Sequence, residues 1–153
     1  MRGFAIALTA LVLFPLAANA EAWDVHLDDQ RNGLVLLGMP DEPENDTDLW
    51  ILCRKDGRFD VGAGANDGIG KGKGEHVSAT FAAGGKTAVL HGVSRESVNF
   101  QMTGGTELVT TIARDDALFA VLAAGKPIKM GRTTFAAPGA ALSKFLAGCP
   151  AKK

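Results

Sequence analysis

Two histidines, His76 and His91, form the arrangement in this chain with the most evident metal-binding content. A two-residue hairpin turn at Gly84-Gly85 would make them diagonal neighbours on one face of a strand pair. Imidazole is a common ligand of transition metals, but a tetrahedral zinc shell needs four ligands and this pair supplies half of them. We therefore predict ordinary polar-face histidines, with no specific metal site and no bound cofactor.

A second candidate is the glycine-rich segment 62–74, which contains the dipeptide Gly70-Lys71. A nucleotide-binding P-loop needs G-x-x-x-x-G-K-[ST], because backbone N–H groups cradle the phosphates and the hydroxyl binds magnesium. Here Ala65 replaces the first glycine and Gly72 replaces the hydroxyl residue. We instead expect a flexible loop that adds little to fold stability. Its Lys71 and Lys73 form a candidate interaction loop for an acidic partner surface.

The remaining polar motifs do not predict catalysis. Segment 41–48 carries five carboxylates, but it lacks the EF-hand pattern and is interpreted as a solvated loop. Ser94 lies in Gly-Val-Ser-Arg-Glu, which breaks the nucleophile-elbow pattern at Glu96. We therefore expect a protein that is not an enzyme.

The chain begins with the features of an export signal. Arg2 provides a positive start, an apolar run follows, and Ala18-Asn19-Ala20 is a small-x-small cleavage site. The apolar run is shorter than the roughly 20 residues that a membrane span requires. These features predict a signal peptide at 1–20, a single mature domain at 21–153, and a periplasmic or secreted location without a membrane span.

The mature chain has 15 basic and 17 acidic residues, since Arg2 is lost with the signal. This near-neutral balance argues against nucleic acid as a partner, which needs a concentrated basic face. Two cysteines, Cys53 and Cys149, predict one disulfide in an oxidising compartment, with two buried free thiols as the alternative. Their positions on a strand face and on an apolar helix face favour a strand-to-helix bond.

Apolar residues alternate along short segments that are separated by turn signals, and this pattern predicts an antiparallel β-sandwich or curled meander. The predicted strands lie at 23–27, 34–37, 49–53, 58–61, 77–81, 87–93, 98–102, 108–112, 127–130 and 133–135. The strand at 49–53 is nearly continuous in apolar residues, as expected where both faces are covered. Two short helices near the C-terminus are expected, one capped by Asp115 or Asp116 and one after Pro138.

Several of these motifs resemble exported bacterial proteins of the invasion-associated locus B and VasI-like type. The resemblance rests on Trp50-x-x-Cys53, on the segment from Leu118 to Lys126, and on the segment from Pro138 to Cys149. It implies a β-rich domain whose early and last cysteines pair, and it brings no catalytic residues.

These observations together predict an exported non-catalytic module that binds an unidentified envelope or host protein. One alternative is an inhibitor of a cell-wall hydrolase, which would insert the 62–74 loop into the enzyme's cleft. A less favoured alternative is a metal-handling periplasmic protein that uses His76 and His91.

Overall fold

The computed structural model describes residues 22–40, 48–64, 68–97 and 104–150. The predicted signal peptide, most of the acidic segment 41–48 and the predicted strand at 98–102 lie outside the described residues. Nine strands are described: β1 Trp23–Asp28, β2 Gly33–Gly38, β3 Leu49–Cys53, β4 Phe59–Gly64, β5 Lys73–Ala83, β6 Lys86–Glu96, β7 Thr106–Ile112, β8 Ile128–Met130 and β9 Thr133–Phe135. Two helices complete the described fold: α1 Ala117–Leu122 and α2 Ala140–Gly148.

All nine strands belong to one sheet, in the order β1-β2-β3-β4-β7-β6-β5-β8-β9. Every neighbouring pair is antiparallel, which confirms the predicted fold class. The two ends of the sheet approach each other, because the Trp23 indole N–H donates to the Ala136 carbonyl at 2.7 Å and Pro40 bridges Phe135. Of the two predicted architectures, the structure is therefore the curled sheet.

The core fills the concave side of this sheet. Phe59 packs against Phe119 of α1 and Phe145 of α2, with ring centroids 4.8 and 5.8 Å apart. Both helices present an apolar stripe to the sheet, as the i, i+3, i+4 spacing predicts. Asp116 caps α1 by accepting the Leu118 backbone N–H at 2.9 Å.

The long β5–β6 hairpin has the register that its glycines predict. Gly84 and Gly85 both adopt positive φ, at 56° and 78°, which a type I′ turn requires. Ser78 pairs with His91 and Ala83 pairs with Lys86 across the two strands. The local turn chemistry therefore sets the register over most of the hairpin.

The expected limits of the flexible loop at 62–74 are wrong, and residues 65–67 within it lie outside the described residues. Residues 62–64 belong to buried β4, and residues 73–74 begin β5. Ser94 and Thr106, which are 0% and 6% exposed, hydrogen-bond the intervening residues 68–72. Gly68, Gly70 and Gly72 have positive φ values of 72°, 80° and 73°. Glycine adopts this backbone conformation readily, which accounts for its frequency in this segment.

The disulfide joins the end of β3 to the residue after α2. Cys53 and Cys149 are bonded with their Cα atoms 5.8 Å apart, as predicted. The bond fixes α2 against the sheet across a separation of 96 residues. Among the described residues, no helix is long and apolar enough to cross a membrane.

Candidate binding surface

The strand β5 has one paired side and one largely open side. It pairs with β6 along its length, but with β8 only at Phe81 and Ala82. No other described strand pairs with residues 74–80, which we call the open edge of β5. An unpaired row of backbone donors and acceptors is a template for an additional strand.

The hairpin geometry identifies which backbone groups point outward. In a two-residue hairpin the residues that flank the turn exchange both hydrogen bonds, and the bonding direction then alternates along the strand. Ala83 is therefore bonded to β6, and so are Val77, Ala79 and Phe81. The intervening residues, His76, Ser78 and Thr80, direct their N–H and C=O groups away from β6, toward the open edge. The Thr80 C=O is already used on that side, because the pairing of Phe81 with Met130 requires it to accept the Gly131 N–H.

The side chains beside this edge are exposed on the outer face of the sheet. His76, Ser78, Thr80 and His91 are all exposed, whereas Ala79 points into the core. A shallow cavity of about 300 Å³ lies here, lined by His76, Val77, Ser78, His91 and Gly92. The surface is polar and accessible, which suits recognition of a main chain with modest side-chain contacts.

His76 and His91 do become diagonal neighbours, because His76 pairs with Val93 and Ser78 pairs with His91. Within the described residues, no group of three or more His, Cys, Asp or Glu side chains is placed to hold a metal ion. That the chain has no specific metal site stays a prediction.

Lys71 and Lys73, the predicted interaction residues, lie exposed at the beginning of the open edge. Their backbone N–H groups donate to Glu75, from Lys73 at 3.0 Å and from Lys71 to the other carboxylate oxygen. The N–H of Lys71 is the main cause that lowers the pKa of Glu75. Glu75 therefore fixes the backbone that carries the two lysines, while their ammonium groups remain exposed.

Ser94 is fully buried, and its hydroxyl holds neighbouring backbone in place. Its hydroxyl accepts the Gly72 N–H at 2.9 Å and donates to the Ile69 carbonyl. Thr106 Oγ1 accepts the Ile69 N–H at 2.9 Å beside it. These two hydroxyls hold residues 68–72 against β6 and β7, next to the start of the open edge.

A buried charge cluster on the outer face was not predicted from the sequence. Glu107 is 2% exposed and accepts the Trp50 indole N–H at 2.8 Å and Arg95 Nε at 2.9 Å. The Arg31 and Arg95 guanidinium carbons lie 4.7 and 5.5 Å from the Trp50 ring centroid. The sequence signal for this cluster was a single carboxylate, Glu107, beside the apolar residues of a strand. Trp50 lies 57 residues away along the chain, so the sequence did not indicate that contact.

Trp50 lies flat against the backbone of β4. A Cβ atom on Gly62 would come within 2.0 Å of the Trp50 ring, so this strand position needs a glycine. Trp50 and Trp23 are both buried. Trp50, however, packs on the outer face, which covers the second face of β3.

The architecture defines a class: a disulfide-bonded domain built on one curled antiparallel sheet with two short helices on its concave side. Comparisons with protein-family models, with curated proteins and with solved structures found no match for the chain.

Proposed function

We propose that this protein is an exported, non-catalytic module that binds another protein of the envelope or a host. The observation that carries the proposal is the open edge of β5, where the N–H and C=O groups of His76 and Ser78 and the N–H of Thr80 point outward and pair with no other described strand. Strand addition at such an edge supplies several main-chain hydrogen bonds in one contact. The predicted signal peptide, the disulfide and the resemblance to invasion-associated and VasI-like proteins support an exported binding role.

The proposed mechanism is recognition without chemistry. An extended segment of the partner lies beside β5 and pairs with the N–H and C=O groups of His76 and Ser78 and with the N–H of Thr80. The exposed side chains on the outer face contact alternate residues of that segment. Because the hairpin is already formed, the partner meets a preorganised strand and the protein orders little of its own chain on binding.

The inhibitor alternative requires residues 62–74 to project into an enzyme's cleft. The described residues 68–72 are hydrogen-bonded to Ser94 and Thr106 instead. No described contact favours an inserting loop, so the proposed binding surface is the strand edge.

Ser78→Pro tests the role of the strand edge. Proline removes the outward N–H of residue 78 without removing a hydrogen bond to β6, whereas the control Ser78→Ala keeps that N–H. A partner captured from extract is purified, and its Kd is measured for both variants. We expect Ser78→Pro to weaken binding at least about tenfold and Ser78→Ala to leave it near wild type. Equal affinities for both variants, with both folded by melting temperature, would contradict the proposal.

Export is tested separately by the intact mass of the protein recovered outside the cytoplasm. The cleavage motif predicts a chain that begins at Glu21. A recovered mass that retains residues 1–20 would contradict an exported mature protein.

A further inference from the structure

The near-neutral total charge hides two oppositely charged parts of the chain. Residues 21–64 contain 4 basic and 11 acidic residues, a net charge of −7. Residues 65–153 contain 11 basic and 6 acidic residues, a net charge of +5. Among the described residues, those of β1 to β4 and their connections hold 4 basic and 6 acidic residues, and those from residue 68 onward, with β5 to β9, hold 9 basic and 5 acidic residues. The part of the described structure that contains β5 is therefore the basic one.

The open edge of β5 belongs to the basic part and has cations near both of its ends. Lys71 and Lys73 are exposed at its beginning, and Lys129 pairs with Ala82 just beyond its end. Glu75 is the acidic residue within the edge, and its carboxylate already accepts two backbone N–H groups. An incoming strand therefore meets ammonium groups at each end and a carboxylate whose oxygens are occupied.

We propose that the segment that adds to β5 is extended and acidic. This inference rests on the proposed function and names its partner chemistry. Main-chain pairing along 74–80 provides the contact, and the lysines at its ends attract carboxylates and disfavour a basic segment. The attraction acts between exposed charges, so it weakens as salt screens it.

Peptides provide the probe. We compare an alternating Glu–Thr peptide of about nine residues, enough to pair with the open edge, with a Lys–Thr peptide of the same length. Residue-resolved NMR titration of the folded mature protein follows the amides of His76, Ser78 and Thr80. We expect the Glu–Thr peptide to shift these amides and to bind at least about tenfold more tightly than the Lys–Thr peptide. Raising the salt should narrow that difference.

Charge-reversal variants locate the effect. Lys71→Glu/Lys73→Glu should remove the preference for the Glu–Thr peptide. The control Lys144→Glu reverses one charge on α2, beside Trp23 and Asp24, and should leave the preference unchanged. The single variants Lys71→Glu and Lys73→Glu, each with the same charge change as the control, should each reduce the preference. Equal binding of both peptides, or equal effects of the single variants and the control, would overturn the acidic-segment proposal.

The outcomes separate this inference from the proposed function. If a purified partner is sensitive to Ser78→Pro but insensitive to Lys71→Glu/Lys73→Glu, the strand-edge function stands and the acidic preference is wrong. If sedimentation shows concentration-dependent self-association that Ser78→Pro abolishes, the edge takes a second copy and the acidic-partner proposal is overturned. If Ser78→Pro changes the affinity of the protein neither for the peptides nor for the partner, both proposals fail.

Discussion

At the residue scale, Glu107 is the least expected group in the fold. It is a nearly buried carboxylate whose two oxygens accept hydrogen bonds from Trp50 and Arg95. A buried charge of this kind costs desolvation, and its paired and hydrogen-bonded state offsets that cost. The cluster therefore fixes how the outer face packs. Substitutions of Glu107 should change the free energy of unfolding by a measurable amount.

Glu107→Ala should destabilise the protein by about 2–3 kcal/mol, because it leaves the buried Trp50 N–H without an acceptor and removes the partner of Arg95. Glu107→Gln keeps an acceptor for Trp50 and should cost less, about 1 kcal/mol. Urea unfolding of both variants gives the two free energies. Equal losses for alanine and glutamine would show that the indole hydrogen bond contributes nothing.

The environment of Asp28, where β1 ends and the first turn begins, predicts that the free energy of unfolding depends on pH. Its pKa is lowered from 3.8, chiefly by the Arg31 backbone N–H and then by the Arg31 side chain. At acid pH the Asp28 carboxylate therefore binds a proton more readily in the unfolded chain than in the folded one. The stabilisation that ionised Asp28 contributes is present above pH 3.8 and is lost as pH falls through its folded-state pKa. Unfolding free energies of Asp28→Asn should fall less steeply with acid than those of wild type. The control Asp29→Asn removes a charge from the same turn; an equal change of slope would contradict the role of Arg31.

At the element scale, residues 68–72 replace an expected flexible loop with a hydrogen-bonded segment. Their glycine content indicated mobility, because glycine has high conformational freedom in the unfolded chain. The sequence could not show that Ser94 and Thr106 would bond their backbone groups, since those hydroxyls come from strands more than 20 residues away. The segment should therefore contribute to stability.

Ser94→Ala should destabilise the protein by about 1–2 kcal/mol, because the Gly72 N–H loses its acceptor and the Ile69 carbonyl loses its donor. Chemical denaturation measures the loss. Ser78→Ala removes an exposed hydroxyl from the paired strand β5 and serves as the control. A Ser94→Ala variant as stable as the control would restore the flexible-loop interpretation.

The elements that the sequence predicted correctly depend on local signals. The Gly84-Gly85 turn and alternating side chains specify the β5–β6 hairpin, and Asp116 marks the start of α1. The pairing of β4 with β7 has no such signal, because these strands are separated by the whole hairpin in sequence. The Glu107–Trp50 contact depends on that pairing and therefore has no local signal in the sequence.

At the scale of the whole molecule, one covalent bond ties the early sheet to the last helix. Replacing Cys53 and Cys149 by alanine together should lower the unfolding free energy by about 4–5 kcal/mol, because the bond closes a loop of nearly a hundred residues. Unfolding of the double variant is compared with that of the oxidised wild type. A loss below about 1 kcal/mol would show that the bond constrains the unfolded chain far less than its length implies.

The charge separation is also a property of the whole molecule, and the net charge conceals it. The total charge predicted only that nucleic acid is a poor partner, whereas the sheet order places Lys129 of β8 just beyond the end of the open edge. The location of an interaction surface therefore required the pairing of non-local strands. The sequence indicated that Lys71 and Lys73 are cations available to a partner. It did not indicate that they lie beside a strand edge.

Residue-resolved hydrogen exchange on the free protein, repeated with its partner, tests the strand-edge account most directly. We expect fast exchange at His76, Ser78 and Thr80 and slow exchange at Val77 and Ala79 in the free protein, followed by strong protection of the first three on binding. Alternating fast and slow exchange in the free protein would show the open edge, and protection of all five amides in the complex would show that the partner occupies it. Slow exchange at all five amides in the free protein, or unchanged fast exchange at Ser78 and Thr80 in the complex, would contradict the account.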